Sequence, residues 1–262
     1  MAKSMLIIDP QNDFCDPRGA LYVPGAFEDS KRLSSVLDRY IDSFDSIHVT
    51  LDTHYSYHIA HPVFWLDSEG RHPDPFTIIT ADDVRNGKYR PSVSDLDAYA
   101  LRYVENLSSG GKYALCVWPP HCLIGSWGHA LSGDLHSALV RWEHRIPGRA
   151  VHFIQKGSNS LTEHYSAIRA EVSIPGNKDT DANEGLITAL KGMDSILIAG
   201  EALSHCVANT VRDLIQYIDP CKLTVCIDLC SNVKGFEHLG TAFRDEASRL
   251  GVRFLTSDAC FS

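Results

Sequence analysis

Short apolar segments recur along the chain and predict the strands of a sheet. They are rich in Val, Ile and Leu and do not alternate strictly between apolar and polar residues, which is typical of parallel strands buried on both faces. The predicted strands cover residues 5–8, 47–51, 113–118, 151–154, 196–199, 223–227 and 252–255.

Amphipathic segments lie between these strands. Residues 204–218 and 236–250 carry apolar side chains at helical spacing, and Gly251 follows the second segment as a stop. The repeated alternation of strand and helix predicts an α/β fold, a doubly wound and mostly parallel sheet with helices on both faces. We expect residues 1–262 to form one domain of this kind.

Residues 65–111 interrupt the alternation and are interpreted as an insertion. Residues 65–89 are rich in Asp, Pro, Gly and His and predict a long loop, whereas residues 94–107 predict one added helix. Connections of this length are usually functional or used in assembly. We therefore expect the insertion to shape a pocket rim or a subunit contact, and we expect a homo-oligomer.

Composition narrows the class of protein. The chain has 262 residues, of which 44% are hydrophobic and 22% charged, as in an ordinary globular protein. Its net charge of -9 argues against nucleic acid or an anionic membrane as the partner. No apolar run approaches the roughly 18 residues of a spanning helix, and the apolar run before Asp9 is too short for a signal peptide. These features predict a cytoplasmic protein whose 8 cysteines stay reduced.

Reactive side chains follow the predicted strands. The carboxyl ends of parallel strands meet at one edge of a sheet, where ligands and chemistry gather. The first five predicted strands are followed there by Asp9, by Asp52 and His54, by His121, by Lys156 and by Cys206.

Cys206 falls in the first turn of a predicted helix, where Ser204 is a candidate N-cap. The helix dipole and a nearby cation such as Lys156 lower the pKa of a thiol in that position, which favours a nucleophile over a buried structural cysteine. Asp9 ends a buried strand and suits the general base and acid for Cys206. A turn residue before Pro10 is an equally open interpretation of Asp9, and Lys156 taken alone also fits a solvated lysine.

A second set of side chains has the chemistry of metal ligands. Asp52 and His54 lie two residues apart, so that in an extended chain both point the same way. With His121 they offer the oxygen and nitrogen atoms that zinc, iron and manganese accept. His58 and His61 follow closely, and either would add a fourth ligand. Because the chain has 13 histidines, chance clustering leaves structural histidines equally open.

Five sequence blocks carry a resemblance to a known family. The sequence resembles the nicotinamidases of the isochorismatase-like cysteine hydrolases, and the blocks occur in the family's order. They are LIIDPQNDF at 6–14 with GALYVPGA at 19–26, VTLDTHYSYHIAHPVFW at 49–65, VWPPHCLIGSWGHAL at 117–131, IQKGSNSLTEHYSAI at 154–168, and AGEALSHCVANTVRDL at 199–214.

The resemblance implies a role for each matching residue. It implies a catalytic triad of Asp9, Lys156 and Cys206, and an oxyanion hole formed by the N–H groups of Ala202 and Cys206 after a cis peptide at Glu201–Ala202. The residues that match the substrate-lining positions are Phe14, Trp118 and Tyr165. Those that match the ligands of a divalent metal, most often Zn²⁺ with Fe²⁺ or Mn²⁺ as alternatives, are Asp52, His54 and His121.

The implied reaction is hydrolysis of nicotinamide to nicotinic acid and ammonia through a cysteine thioester. A related cysteine amidohydrolase acting on another carboxamide, or on a ureido or carbamoyl compound, is the alternative. It stays open because GEALSHC at 200–206 departs from the family's usual apolar-Ala-Thr-Asp-Tyr-Cys pattern, so that the pocket can differ.

Other classes fit the residues less well. Vinyl-ether hydrolysis in the isochorismatase branch does not use the cysteine, so Cys206 argues against it, and an intact triad argues against a non-catalytic binding protein. The turn after the first strand lacks the Gly-x-Gly-x-x-Gly of a dinucleotide-binding protein.

Overall fold

The computed structural model describes residues 2–110 and 113–261. Met1 and Ser262, the ends of the predicted domain, and Gly111, the end of the predicted insertion, lie outside the described residues. The strands are β1 (Lys3–Ile8), β2 (Ser46–Asp52), β3 (Trp65–Asp67), β4 (Ile78–Ile79), β5 (Tyr89–Pro91), β6 (Leu115–Cys116), β7 (His152–Lys156), β8 (Ser195–Gly200), β9 (Leu223–Cys226) and β10 (Arg253–Leu255). The α-helices are α1 (Asn12–Cys15), α2 (Ala26–Arg39), α3 (Ala81–Arg85), α4 (Asp97–Ser109), α5 (Gly133–Arg145), α6 (Glu184–Lys191), α7 (Ala208–Leu214), α8 (Glu237–Arg249) and α9 (Ser257–Cys260).

A six-stranded sheet organises the chain in the order β10-β9-β8-β1-β2-β7. Every neighbouring pair is parallel, which confirms the predicted α/β class. The register places Ile8 beside Gly200 and Asp52 beside Lys156. The carboxyl ends of β8, β1, β2 and β7 therefore lie side by side at one edge of the sheet.

Both faces of the sheet are buried, and this explains the near-continuous apolar strands. In β1, Leu6 and Ile8 belong to one hydrophobic cluster, whereas Met5 and Ile7 belong to the other. Helices α2 and α5 pack on the second cluster, and α4, α7 and α8 contribute to the first. The predicted helices on both faces are therefore confirmed.

The prediction of a sheet strand over 113–118 is wrong. Only Leu115–Cys116 is extended, and it pairs antiparallel with Ile78–Ile79 outside the central sheet. The run is apolar because it is buried against the insertion: Val117 N donates to Thr77 O at 2.9 Å, and Phe76 N donates to Val117 O at 2.5 Å.

The prediction of a long loop over 65–89 is also incomplete. Strands β3 and β5 pair antiparallel across this segment, and Thr80 caps α3 through a reciprocal pair of bonds with Asp83. The added helix predicted over 94–107 is present as α4, slightly later in the chain.

The predicted helix over 204–218 is shorter and begins differently. A π-helical turn over Leu203–Val207 precedes α7. Ser204 is not an N-cap, because its hydroxyl bonds His205 Nδ1 at 2.9 Å and accepts from Val233 N at 3.1 Å. The helix predicted over 236–250 is present as α8. Within the described residues, no helix has the length and apolar character needed to cross a bilayer.

Candidate active site

Asp9, Lys156 and Cys206 meet at the carboxyl edge of the sheet, and all three are buried. Lys156 Nζ lies 2.9 Å from Asp9 Oδ2 and 3.6 Å from Cys206 Sγ. Asp9 and Cys206 therefore contact the same ammonium group. The three predicted triad residues thus form one contact network of nucleophile, carboxyl group and cation.

Thr50 completes the surroundings of Asp9 and was missed by sequence reasoning. Its hydroxyl donates to Asp9 Oδ1 at 2.5 Å and accepts from the Asp9 backbone N–H at 3.0 Å. Thr50 precedes Asp52 by two residues on β2, so both side chains lie on the same face of the strand. That spacing is the signal that would have identified it.

The predicted lowering of the Cys206 pKa is wrong. Burial raises the pKa of this thiol well above its usual value, and the cation of Lys156 reverses only part of that rise. Burial also raises the pKa of Asp9 against the opposing charge of Lys156. For Lys156, burial lowers the pKa, but the carboxylates of Asp52 and Asp9 outweigh it and raise the pKa well above its usual value. At rest the site therefore holds a neutral thiol beside an ammonium group.

Asp52 connects this triad to a cluster of histidines. Its Oδ1 atom lies 3.0 Å from Lys156 Nζ, whereas Oδ2 lies 3.0 Å from His54 Nε2 and 3.2 Å from His121 Nε2. Burial raises the pKa of Asp52, but His54 and Lys156 lower it by more than burial raises it. The group therefore stays a carboxylate. Gln11 holds its backbone by two bonds of 2.7 Å, from Gln11 Nε2 to Asp52 O and from Asp52 N to Gln11 Oε1.

His121 reaches the cluster from a loop and not from a neighbouring strand of the sheet, which corrects that prediction. His54 N donates to Cys122 O at 3.0 Å, and Ile124 N donates to His54 O at 3.0 Å. Asp13 Oδ2 accepts from Cys122 N at 2.6 Å. The loop is therefore fixed to the end of β2 by backbone bonds, and the ligand atoms of Asp52, His54 and His121 come within 4.8 Å of one another.

The two candidates for a fourth ligand differ in their hydrogen bonds. Both ring nitrogens of His58 are engaged, Nε2 with Thr162 O at 3.2 Å and Nδ1 with the N–H of Ala60 at 3.2 Å. His61 uses Nδ1 for Ser56 O at 3.2 Å, whereas its buried Nε2 has no hydrogen-bond partner among the described residues. Burial lowers the pKa of His61 to about 3, so the ring is neutral and Nε2 offers a lone pair.

Gly157, directly after β7, lies close to both Asp52 and His54. A Cβ atom at this position would lie 2.9 Å from Asp52 Oδ1 and 3.0 Å from His54 Cε1. The backbone also has a φ of +82°, which side chains disfavour. Only glycine permits the close approach of β7 to this carboxylate.

A small cavity opens beside Cys206. The predicted substrate contacts Phe14, Trp118 and Tyr165 line it, and Trp118 Nε1 donates to the Tyr165 hydroxyl at 3.0 Å. Other lining residues include Asp52, His121, Ala202 and His205, the last from the segment at 200–206 that was expected to change the pocket. Three lining residues were not identified from the sequence: Leu21, Glu163 and Val233. The cavity thus combines aromatic walls, the candidate nucleophile and candidate metal ligands.

The segment before Cys206 contains the cis peptide at Glu201–Ala202 that the resemblance implied. Leu203 N donates to Ser231 O at 2.8 Å, and Ser231 N donates to Glu201 Oε2 at 3.0 Å. Of the residues that depart from the family pattern here, His205 lines the cavity, whereas Glu201 is bonded to Ser231.

The chain is similar in sequence and in fold to known proteins. No family model matches it. The nicotinamidase of Saccharomyces cerevisiae is 26% identical over 208 residues, which are 79% of each chain. The structure of the yeast nicotinamidase Pnc1p covers 97% of this chain and 99% of its own, with a TM-score of 0.68 and 22% identity. The chain resembles the nicotinamidases.

Two further structures extend the nicotinamidase-like comparison. A nicotinamidase and pyrazinamidase of Acinetobacter baumanii gives a TM-score of 0.66 at 21% identity and covers 99% of this chain and 98% of its own. The pyrazinamidase of Pyrococcus horikoshii, in complex with zinc, gives 0.58 at 18% identity and covers 98% and 99%. The nicotinamidase-like resemblance and the predicted fold are therefore confirmed.

Proposed function

We propose that this protein is an amidase that hydrolyses nicotinamide to nicotinic acid and ammonia through a thioester on Cys206. The observation that carries the proposal is the buried contact between Cys206, Lys156 and Asp9 at the wall of a small aromatic cavity. A thiol, a carboxyl group with a raised pKa and a fixed cation are the groups that acyl transfer from an amide requires. The likeness to the yeast nicotinamidase supports the choice of substrate.

In the first step, Asp9 takes the proton of the Cys206 thiol, which contacts the same Lys156 ammonium group as Asp9 does. Lys156 Nζ, 3.6 Å from the sulfur, stabilises the thiolate as it forms. This arrangement keeps the thiol neutral until an amide lies next to it, because burial disfavours a resting thiolate. The thiolate then attacks the carboxamide carbon.

The oxyanion that forms would be held by the backbone N–H groups of Ala202 and Cys206. Removing one donor of this kind costs about 3–4 kcal/mol in comparable enzymes. Asp9 then gives its proton to the departing ammonia, and a water molecule hydrolyses the thioester with Asp9 again as the base.

A divalent metal, with zinc as the expected ion, would be held by Asp52, His54 and His121, with His61 as the fourth donor. The buried His61 Nε2, which lacks a hydrogen-bond partner in the part of the chain that the structure describes, supports this fit, as do neighbouring carboxylate and imidazole donors. When bound, the metal supplies a Lewis acid that binds and orients the pyridine nitrogen of the substrate. Phe14, Trp118 and Tyr165 would hold the faces and edges of the ring.

The test is ammonia release from nicotinamide by the purified protein, with the metal content measured on the same sample. We expect turnover by the wild type with about one metal ion per chain, and a loss of at least about a thousandfold in Cys206→Ala. Cys221→Ala, which removes an exposed thiol, is the matched control and should keep full activity.

If the protein released no ammonia from nicotinamide but still hydrolysed another carboxamide or a carbamoyl compound, nicotinamide would be refuted as the substrate. The assignment as an amidase would stand. Full activity of Cys206→Ala would refute the thioester.

A further inference from the structure

Two buried carboxyl groups lie together behind the segment that leads to Cys206. Glu201 follows β8 and is 2% exposed, and Asp29 lies on α2 and is 8% exposed. Both carboxyl groups bond Ser231, so the two side chains lie near each other. Two buried carboxylates this close repel each other, which favours a proton on one of them.

Ser231 fastens both carboxyl groups to the same short stretch of chain. Its N–H donates to Glu201 Oε2 at 3.0 Å, and its hydroxyl donates to Asp29 Oδ2. Its carbonyl accepts from Leu203 N at 2.8 Å. Ala202 therefore lies between two points of attachment to Ser231, one through the Glu201 side chain and one through the Leu203 backbone.

The surrounding charges decide which group holds the proton. Arg32 Nη1 lies 3.2 Å from Asp29 Oδ1 on the outer side of the pair, so that Asp29 has a cation as partner. Burial, and next the charge of Asp29, raise the pKa of Glu201 well above its usual value.

The other titratable groups that face the pair leave this assignment in place. The thiols of Cys15 and Cys230 have pKa values raised by burial and stay neutral. Burial, and less strongly the charge of Asp228, also raise the pKa of Asp29, but Ser231 and the cation of Arg32 oppose that rise, so that it is smaller than the rise at Glu201. The proton therefore belongs on Glu201.

We propose that Glu201 is a positioning residue of the proposed amidase, whose neutral carboxyl group joins Asp29 to the N–H of Ser231 and so holds the Ala202 N–H in place for the oxyanion. The proposal deepens the proposed function and rests on it. The Glu201 side chain is held by Ser231, and the next residue, Ala202, lines the cavity, so Glu201 acts through the backbone of Ala202.

Substitutions at Glu201 separate this role from simple packing. Glutamine offers an oxygen acceptor and an NH2 donor group, and so mimics the neutral acid but not the carboxylate. We expect Glu201→Ala to lower kcat at least about tenfold with KM changed less than about threefold, because a displaced N–H weakens the transition state more than the bound substrate.

Glu201→Gln should recover most of that loss at pH 7, and Glu28→Ala, which removes an exposed glutamate of α2, is the matched control. An unchanged kcat in Glu201→Ala, or equal losses in the alanine and glutamine variants, would overturn the positioning role.

A second measurement needs no substrate. If Glu201 keeps its proton when folded but loses it above its usual pKa of 4.5 when unfolded, the wild type loses stability relative to Glu201→Gln as pH rises. The Tm of the glutamine variant minus that of the wild type should grow between pH 5 and pH 8, by about 3 °C per pH unit.

A constant difference would overturn the neutral carboxyl group, even if Glu201→Ala did not fold. Failure of the wild type to hydrolyse nicotinamide would instead refute the proposed function, and the Tm series would still decide the state of Glu201.

Discussion

The triad and the histidine cluster are held by different kinds of structure. Asp9 and Lys156 lie at the ends of strands whose register is set by the sheet. His61 and His121 lie on loops and depend on bonds such as that of the Cys122 N–H with Asp13. A strand end places a side chain through the ladder of the whole sheet, whereas a loop places one through a few local partners.

Asp52 belongs to both regions, since one carboxylate oxygen contacts Lys156 and the other contacts His54 and His121. Each region therefore depends on the other for the position of this group, although only the triad is built directly on the sheet.

Asp52→Asn should break both regions at once and give the largest effect. The amide removes the anion beside Lys156 and weakens the oxygen donor to a metal, and breaking a buried ion pair costs about 3–5 kcal/mol. We expect kcat/KM to fall at least about a thousandfold. Metal content and the free energy of unfolding should also fall. Asp38→Asn, at an exposed ion pair with Arg141, is the control. A variant that loses metal but keeps its activity would mean that the two regions work separately.

Histidine substitutions test the loop-held region alone. His61→Ala should weaken metal binding at least about tenfold, because it removes a neutral imidazole with an available nitrogen. His58→Ala should change metal affinity less, since both of its nitrogens are occupied by backbone groups. Competition with a chelator of known affinity measures both. The opposite order would make His58 the fourth donor.

Thr50→Val tests the strand-held region. The substitution removes the hydroxyl that donates to Asp9 and lowers its pKa, so the pKa of Asp9 should rise. We expect a drop in kcat/KM of about tenfold and a loss of about 1–3 kcal/mol in stability. The acid limb of the pH profile should move to higher pH, because Asp9 then loses its proton at a higher pH. Thr224→Val, in β9, is the buried control, and an unmoved acid limb would exclude the bond from catalysis.

His48→Gln should leave activity at neutral pH within about twofold and affect only stability in acid. His48 lies on β2 beside His152 of β7, and burial, with the nearby His152, lowers its pKa from 6.5 to about 4. The folded protein resists a proton that the unfolded chain accepts, so unfolding free energy is lost as pH falls from 6.5 toward 4. Urea unfolding at pH 7 and pH 4.5 should show a smaller loss in the variant. Parallel curves would contradict the prediction.

The positions of the strand-held residues could be predicted from the sequence because they depend on a local pattern. An apolar strand followed by a polar residue marks a sheet edge, and this places Asp9, Asp52, Lys156 and Cys206 without further information. The route of His121 could not be found in this way, since β6 pairs with residues of the insertion and that pairing leaves no local pattern. The raised pKa of Cys206 depends on burial by distant segments, which no short window contains.

Glu201 shows the same limit, because its partners Asp29 and Ser231 are far away along the chain. The single domain over 1–262, the homo-oligomer and the cytoplasmic location stay predictions.

Gly157 lets the backbone after β7 pack against side chains of both regions. Glycine has only a hydrogen atom where other residues carry a side chain, so its backbone can lie against the Asp52 carboxylate and the His54 ring. Any other residue would push these groups apart while leaving every reactive atom in the chain. In a mutational scan, Gly157 should therefore tolerate no replacement, although it has no chemistry of its own.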